Sequence, residues 1–230
     1  MKPFKAFTLV ITITLFSVFS YAQSVDNTMD WKEFTQPKPY TKPISNEIVG
    51  TPYVDATFQR GNVFNDGALL ASNVQLRYNA LRDEIEIQKE NSSDNSVNVL
   101  VRDKDIYVKI LNDTYVYLEG TSEDVPTGYY LVMHEDVNAS LYKKQKKEFI
   151  EGKKSINTMT RDIAPAFKDA EELYIVLAGG QLEPVPNSRG KRLKLLDAHK
   201  KEVKQFVRDN DLNINKDYNY LKLIKYYNRL

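Results

Sequence analysis

The chain has no cysteine, two histidines and a single tryptophan among 230 residues. Without thiols there is no cysteine nucleophile, no disulfide framework and no iron–sulfur ligation, and two histidines alone leave almost no route to a zinc site. Glycine is scarce as well, at nine, and no spacing among them fits a phosphate loop or a dinucleotide fingerprint. An excess of one charge is also missing. Lysine and arginine number 32 against 31 aspartate and glutamate, whereas a domain built for nucleic acid carries a strong positive excess. Nucleic acid is therefore excluded as a partner, and no cofactor is expected. What is present is ordinary globular usage, 42% hydrophobic and 27% charged, in a length that suits one domain or two small ones.

Residues 1–22 read as a secretory signal peptide. Lys2 and Lys5 give a positive start, Ala6 to Phe19 an apolar run, and Ser20-Tyr21-Ala22 a small-x-small cleavage site before Gln23. At about 14 residues the run is short of the roughly 20 that span a bilayer. The expectation is an exported protein, periplasmic or extracellular, that does not span a membrane after cleavage. Loss of Lys2 and Lys5 leaves 30 basic residues against 31 acidic ones, so the remaining chain is near −1.

Residues 23–52 read as a proline-rich extended arm or linker. Pro37, Pro39, Pro43 and Pro52 bar helix and central strand, and Trp31 and Phe34 are placed to tack the arm onto the body. Residues 53–186 carry strand patterns. Val74, Leu76 and Tyr78 alternate with polar residues, as do Ile85 and Ile87. Asn65-Asp66-Gly67 is a hairpin turn signal, Asn91 to Ser96 a polar loop, and Gly179-Gly180 the tip of another hairpin. Val97–Val101, Gly128–Met133 and Leu173–Leu177 are apolar on both faces and need cover on each. Between Ile106–Leu111 and Thr114–Glu119, a two-residue loop of Asn112-Asp113 would set Ile110 opposite Tyr115 and Val108 opposite Tyr117. That register puts the tyrosines on the face of Ile106, Val108 and Ile110. Residues 187–230 turn helical and belong to the same domain. Ser188, Asp197 and Asp217 are the candidate caps, with Val203, Phe206 and Val207, then Tyr220, Leu221, Leu223, Ile224 and Tyr227, on the inner faces.

No constellation points to catalysis, and no catalytic residue is assigned. His134 and His199 lack a recognisable triad partner. Asp83, Glu84 and Glu86, and the Glu171-Glu172 pair, read as solvated sides of strands rather than as a glycosidase pair. Asp209-x-Asp211-x-Asn213-x-Asn215-x-Asp217 imitates a calcium loop but has Ile214 where glycine is wanted and Tyr220 where glutamate is wanted, so no metal is expected. Lys143-Lys144-Gln145-Lys146-Lys147 reads as an exposed edge strand guarded by lysine. Among 15 tyrosines, Tyr107, Tyr115, Tyr117 and Tyr129 fall on central strands. They form a pleated core or, alternatively, line a groove for a ligand, and they are the candidate binding residues.

Thr51-Pro52-Tyr53, Leu76-Arg77-Tyr78-Asn79, Asp83-Glu84-Ile85-Glu86, the Val203–Asn210 helix and Tyr226-Tyr227-Asn228 resemble a set of uncharacterised secreted proteins of the Bacteroidetes. The resemblance covers about residues 50 to 230. It implies an envelope or secreted location and carries over no activity or site residue.

The expected protein is α+β, an antiparallel curved sheet or sandwich with C-terminal helices packed on it. Its expected role is non-catalytic, either structural or binding an envelope protein, glycan or lipid. A hydrolase acting on carbohydrate or peptide, and a periplasmic lipid or lipoprotein carrier, are the alternatives.

Overall fold

The structure, a computed structural model, describes residues 31–39, 47–88, 97–155 and 161–230. The leader at 1–22, Tyr40 to Pro43 and the polar loop at 91–96 lie outside the described residues. Eleven strands form one antiparallel, curved sheet: β1 (Thr35–Pro37), β2 (Gln59–Asn65), β3 (Ala68–Asn79), β4 (Glu84–Gln88), β5 (Val97–Leu100), β6 (Ile106–Ile110), β7 (Asp113–Leu118), β8 (Gly128–His134), β9 (Ala139–Ile150), β10 (Ala166–Leu177) and β11 (Glu183–Pro184). Their order across the sheet is β1-β5-β4-β3-β2-β6-β7-β8-β9-β10-β11. A short α1 (Trp31–Phe34) precedes the sheet, and α2 (Arg189–Leu195), a 3₁₀ turn (Asp197–His199), α3 (Lys200–Asp209) and α4 (Asp217–Tyr227) follow it. No helix among the described residues is long and apolar enough to cross a membrane.

Local chemistry sets many of these elements. Asp66 and Gly67 both take positive φ, 46° and 81°, in the β2–β3 turn, as a tight hairpin requires. Register shifts in β2 at Gly61/Val63 and Val63/Phe64, and between β8 and β9 at Val132/His134, are the irregularities that bend strands and deepen the curl. The β6–β7 hairpin differs from expectation. Its loop is Leu111-Asn112, with Leu111 at φ 53°, so Ile110 pairs with Asp113 and Val108 with Tyr115. The register is two residues off the expected one. Because the side-chain period is also two, Tyr115 and Tyr117 still share the face of Val108 and Ile110.

The sheet's concave face is filled in two ways. Over β2 to β8 the sheet rolls onto itself around Val63, Leu76, Tyr78, Ile85, Val108, Tyr115 and Tyr129. Over β8 to β10 the helices fill it: Leu141, Leu173 and Ile175 pack against Val203, Val207, Ile214, Tyr220, Leu223 and Ile224. Tyr129 and Leu131 belong to the first cluster and Met133 to the second, so alternate residues of one strand pass from one core to the other. On the convex side Tyr130, Tyr142 and Tyr174 pack under Val125 and Leu182. The strands expected to be apolar on both faces thus have cover on both.

Two polar devices hold the roll shut. The Lys147 N–H donates to Ala80 O (3.2 Å), which joins the end of β3 to β9. Beside that seam the Asp83 carboxylate accepts from Tyr78 Oη (2.7 Å), Tyr129 N–H (3.2 Å) and Lys144 Nζ (2.8 Å). Burial pulls the Lys144 ammonium below the ordinary lysine range, and Asp83 opposes that pull. Gly128 makes the clasp possible, since a Cβ there would lie 1.7 Å from Asp83 Oδ2 and 2.5 Å from Lys144 Nζ.

The amino-terminal arm, where described, is more than a linker. β1 pairs with β5 on the sheet edge, where proline is tolerated, and Phe34 is buried in the rolled core. Lys38 Nζ reaches Glu86 Oε1 at 2.8 Å.

Candidate functional site

The long β9–β10 hairpin carries the site. Lys143, Lys144, Lys146 and Lys147 were expected on an exposed edge strand. Instead β9 lies between β8 and β10, and its lysines face an acidic run on β10. Lys147 pairs with Asp169, Lys146 Nζ with Glu172 Oε2 (2.7 Å), and Lys143 Nζ with both Glu171 Oε2 (2.8 Å) and Asp217 Oδ2 (3.0 Å). In each pair the carboxylate is the outer partner, most clearly at Asp169, 77% exposed against 9% for Lys147. An approaching molecule therefore meets the acids first.

Next to this ladder lies a cleft of about 570 Å³. Its floor is β10 seen edge-on: Glu171 and Leu173 from the concave side, Glu172 and Tyr174 from the convex side. Asp124 closes one wall, Pro184 and Val185 the end, and Arg192, Asn215 and Asp217 the helical side. Arg192 is a structural post. Its Nε donates to Pro186 O and its Nη1 to Ile214 O, both at 2.7 Å, and its guanidinium stands over the Tyr220 ring. The Lys146 ammonium, helped by Tyr174 Oη at 2.9 Å, holds the Glu172 carboxyl below the usual glutamate range. At Lys143 burial favours the neutral amine, but Glu171 and Asp217 together outweigh it and raise its pKa. Both shifts favour the charged forms of Glu172 and Lys143.

The four candidate tyrosines divide. Tyr115 and Tyr129 are buried at 3% and 1%, with Tyr117 half-buried against Tyr129 at a ring separation of 5.3 Å. Tyr78, which the sequence reading did not single out as a site residue, joins them at 5.1 Å from the Tyr115 ring. Tyr115 Oη donates to Gln145 Oε1 at 2.9 Å, and burial pushes the hydroxyls of Tyr78, Tyr115 and Tyr129 above the ordinary tyrosine range. Tyr107 points to the opposite face, stacked on Phe64 at 4.9 Å. Tyr115, Tyr117 and Tyr129 therefore pack in the rolled core, Tyr107 lies on the other face of the sheet, and the four do not share one groove. A smaller space of about 200 Å³ at the mouth of the roll is lined by Leu76, Tyr78, Ile110 and Tyr115.

The other sequence candidates are dispersed. Glu86 was expected on a solvated side. It is fully buried, bonded to Lys38, Arg77 and Asn79 Nδ2, with the Arg77 guanidinium between the Tyr53 and Phe58 rings at 3.6 and 4.2 Å. Burial would raise the Glu86 pKa, but these three donors outweigh it and lower it. His134 Nε2 is 4.0 Å from Asp136 Oδ2, and His199 packs edge-on against Tyr227. In the calcium-like loop, Gln205 Nε2 donates to both Asp209 oxygens and Lys143 holds Asp217. No cluster of metal-ligating side chains occurs among the described residues.

Comparison with protein-family models, with curated proteins and with solved structures finds no match.

Proposed function

We propose that this chain is an exported, non-catalytic binding protein that takes its partner in the cleft at the β10 edge. The observation that carries the reading is the cleft itself, a concave space of about 570 Å³ lined by Asp124 and by three carboxylates, Glu171, Glu172 and Asp217, each presented outward of its lysine. Two further observations support it over the alternatives. Glycoside hydrolysis needs one carboxyl kept protonated by a raised pKa, whereas the surroundings of Glu172 lower it. A carrier needs room between sheet and helices, and that space is filled by side chains that are almost completely buried.

The test is a screen of the purified protein against peptide and glycan arrays, with Glu171→Lys and Asp124→Lys as cleft variants. Saturable binding weakened at least about tenfold in either variant is the expected result. Binding that ignores both variants overturns the cleft as the site. Multiple turnover of a peptide or glycan, abolished by replacing one carboxylate, overturns the non-catalytic reading.

A further inference from the structure

A single bridging residue and one short strand already sit on the outer edge of β10. Val49 lies on it in parallel, its N–H donating to Pro165 O and its carbonyl accepting from Phe167 N–H, both at 2.9 Å. β11 lies on it antiparallel, with Val185 N–H donating to Leu173 O at 2.8 Å. In an antiparallel ladder a residue's N–H and C=O point to the same side, and the side alternates along the strand. Phe167 and Leu173 therefore fix the outward set, to which Asp169 and Glu171 also belong. Among the described residues the backbone groups of Asp169 and Glu171 have no strand partner on that side. Between the bonded groups of Phe167 and Leu173, the open edge from Lys168 to Glu172 runs for about 13 Å. The cleft is the inner end of this gap, which is why it is lined by residues from both faces of β10.

We propose that an extended peptide segment bearing lysine or arginine adds to this edge as a strand, in line with β11. Its backbone pairs with Asp169 and Glu171, and its alternate basic side chains meet these two carboxylates on one face of the sheet. This rests on the cleft as the binding site and names what enters it. An exposed row of backbone donors and acceptors is a template for another strand. The outward carboxylates select the charge of that strand. They also disfavour a second copy of this chain, because two β10 edges placed together would set Asp169 and Glu171 against their own kind.

The experiment uses the full purified protein and a synthetic heptapeptide of alternating valine and lysine, with hydrogen exchange read at the Asp169 and Glu171 amides. Expected are fast exchange at both amides in the free protein and slowing on addition of the peptide. Peptide N-methylated on its edge-facing residues, and the valine–glutamate counterpart, should fail to bind. Glu171→Lys should weaken the lysine peptide by at least about tenfold and admit the glutamate peptide. Peptide binding that is lost in Glu171→Lys but leaves both amides unprotected, or that survives N-methylation, overturns strand addition and leaves the cleft reading standing. A glycan bound at the cleft with no affinity for the peptide does the same. Amides already protected in the free protein, by another part of the chain or by a second copy, overturn both.

Discussion

The two halves of the concave face solve one problem by different means. From β2 to β8 the sheet covers itself, and the interior is rich in tyrosine because a rolled sheet leaves wide, tapering space that rings fill well. The hydroxyls then need partners, and Gln145, Asp83 and Val101 O supply them. From β8 to β10 the cover is three short helices whose inner residues are mainly aliphatic. Each helix is too short to persist alone, so the helical half depends on the sheet, while the rolled half depends on a seam of polar contacts. Apolar packing tolerates small shifts, but a clasp in which a carboxylate, an ammonium, a phenol and a backbone amide converge does not.

The sharpest way to break this contrast is a matched pair of deletions. Tyr129→Ala in the roll should cost about 4 kcal/mol and Leu223→Ala in the helical half about 3 kcal/mol. If β8 and β9 weld the halves into one unit, urea unfolding followed by circular dichroism shows a single shifted transition in both variants. Two resolved transitions would divide the molecule at those strands. Gly128→Ala comes next, since the added methyl displaces the Asp83–Lys144 pair. A loss of about 3 kcal/mol or more is expected, against about 1–2 kcal/mol for the same change at Gly67, where φ is also positive but nothing lies within 4 Å.

Glu86→Gln should cost about 3 kcal/mol at neutral pH, because Arg77 and Lys38 lose their counter-charge. The sign with pH is fixed by the lowered pKa of Glu86. Its contribution is complete above the unfolded glutamate value of about 4.3 and is lost as pH falls through the lower folded value. The gap between wild type and variant should therefore shrink on acidification, as urea midpoints at a series of pH values will show. A constant gap would mean that Glu86 acts through shape and not charge. The smallest effects are Phe206→Ala and Tyr115→Phe. Phe206 is only half-buried, stacked on Tyr226 at 3.9 Å, and its loss should cost about 1.5 kcal/mol. Tyr115→Phe removes one hydrogen bond to Gln145, for about 1 kcal/mol.

The strands and helices were legible because their signals are local. Alternation in β3, the Asp66-Gly67 turn and the apolar spacing of α4 each act within a few residues. What escaped depended on which strand lies beside which. The lysines of β9 looked like edge guards because nothing nearby in sequence says that β10 will lie against them. The signal was there at longer range: a basic run at 143–147 and an acidic run at 169–172 match in antiparallel register across one hairpin. Glu86 was misread for a related reason, since alternation tells which face a residue takes but not that an arm bearing Lys38 will cover that face. The β6–β7 register failed on Leu111, a residue type with no preference for the left-handed region it adopts.

The seam at Ala80 and Lys147 has a consequence for the timing of folding. It joins the chain across a separation like the 67 residues between Tyr78 and Gln145, and a loop of that length closes only after hairpins that form between sequence neighbours. Contacts made late leave the folding rate nearly untouched and set the unfolding rate instead. Tyr78→Phe should thus steepen the escape from the native state while refolding proceeds at its usual pace. The seam is then a lock on the lifetime of the fold.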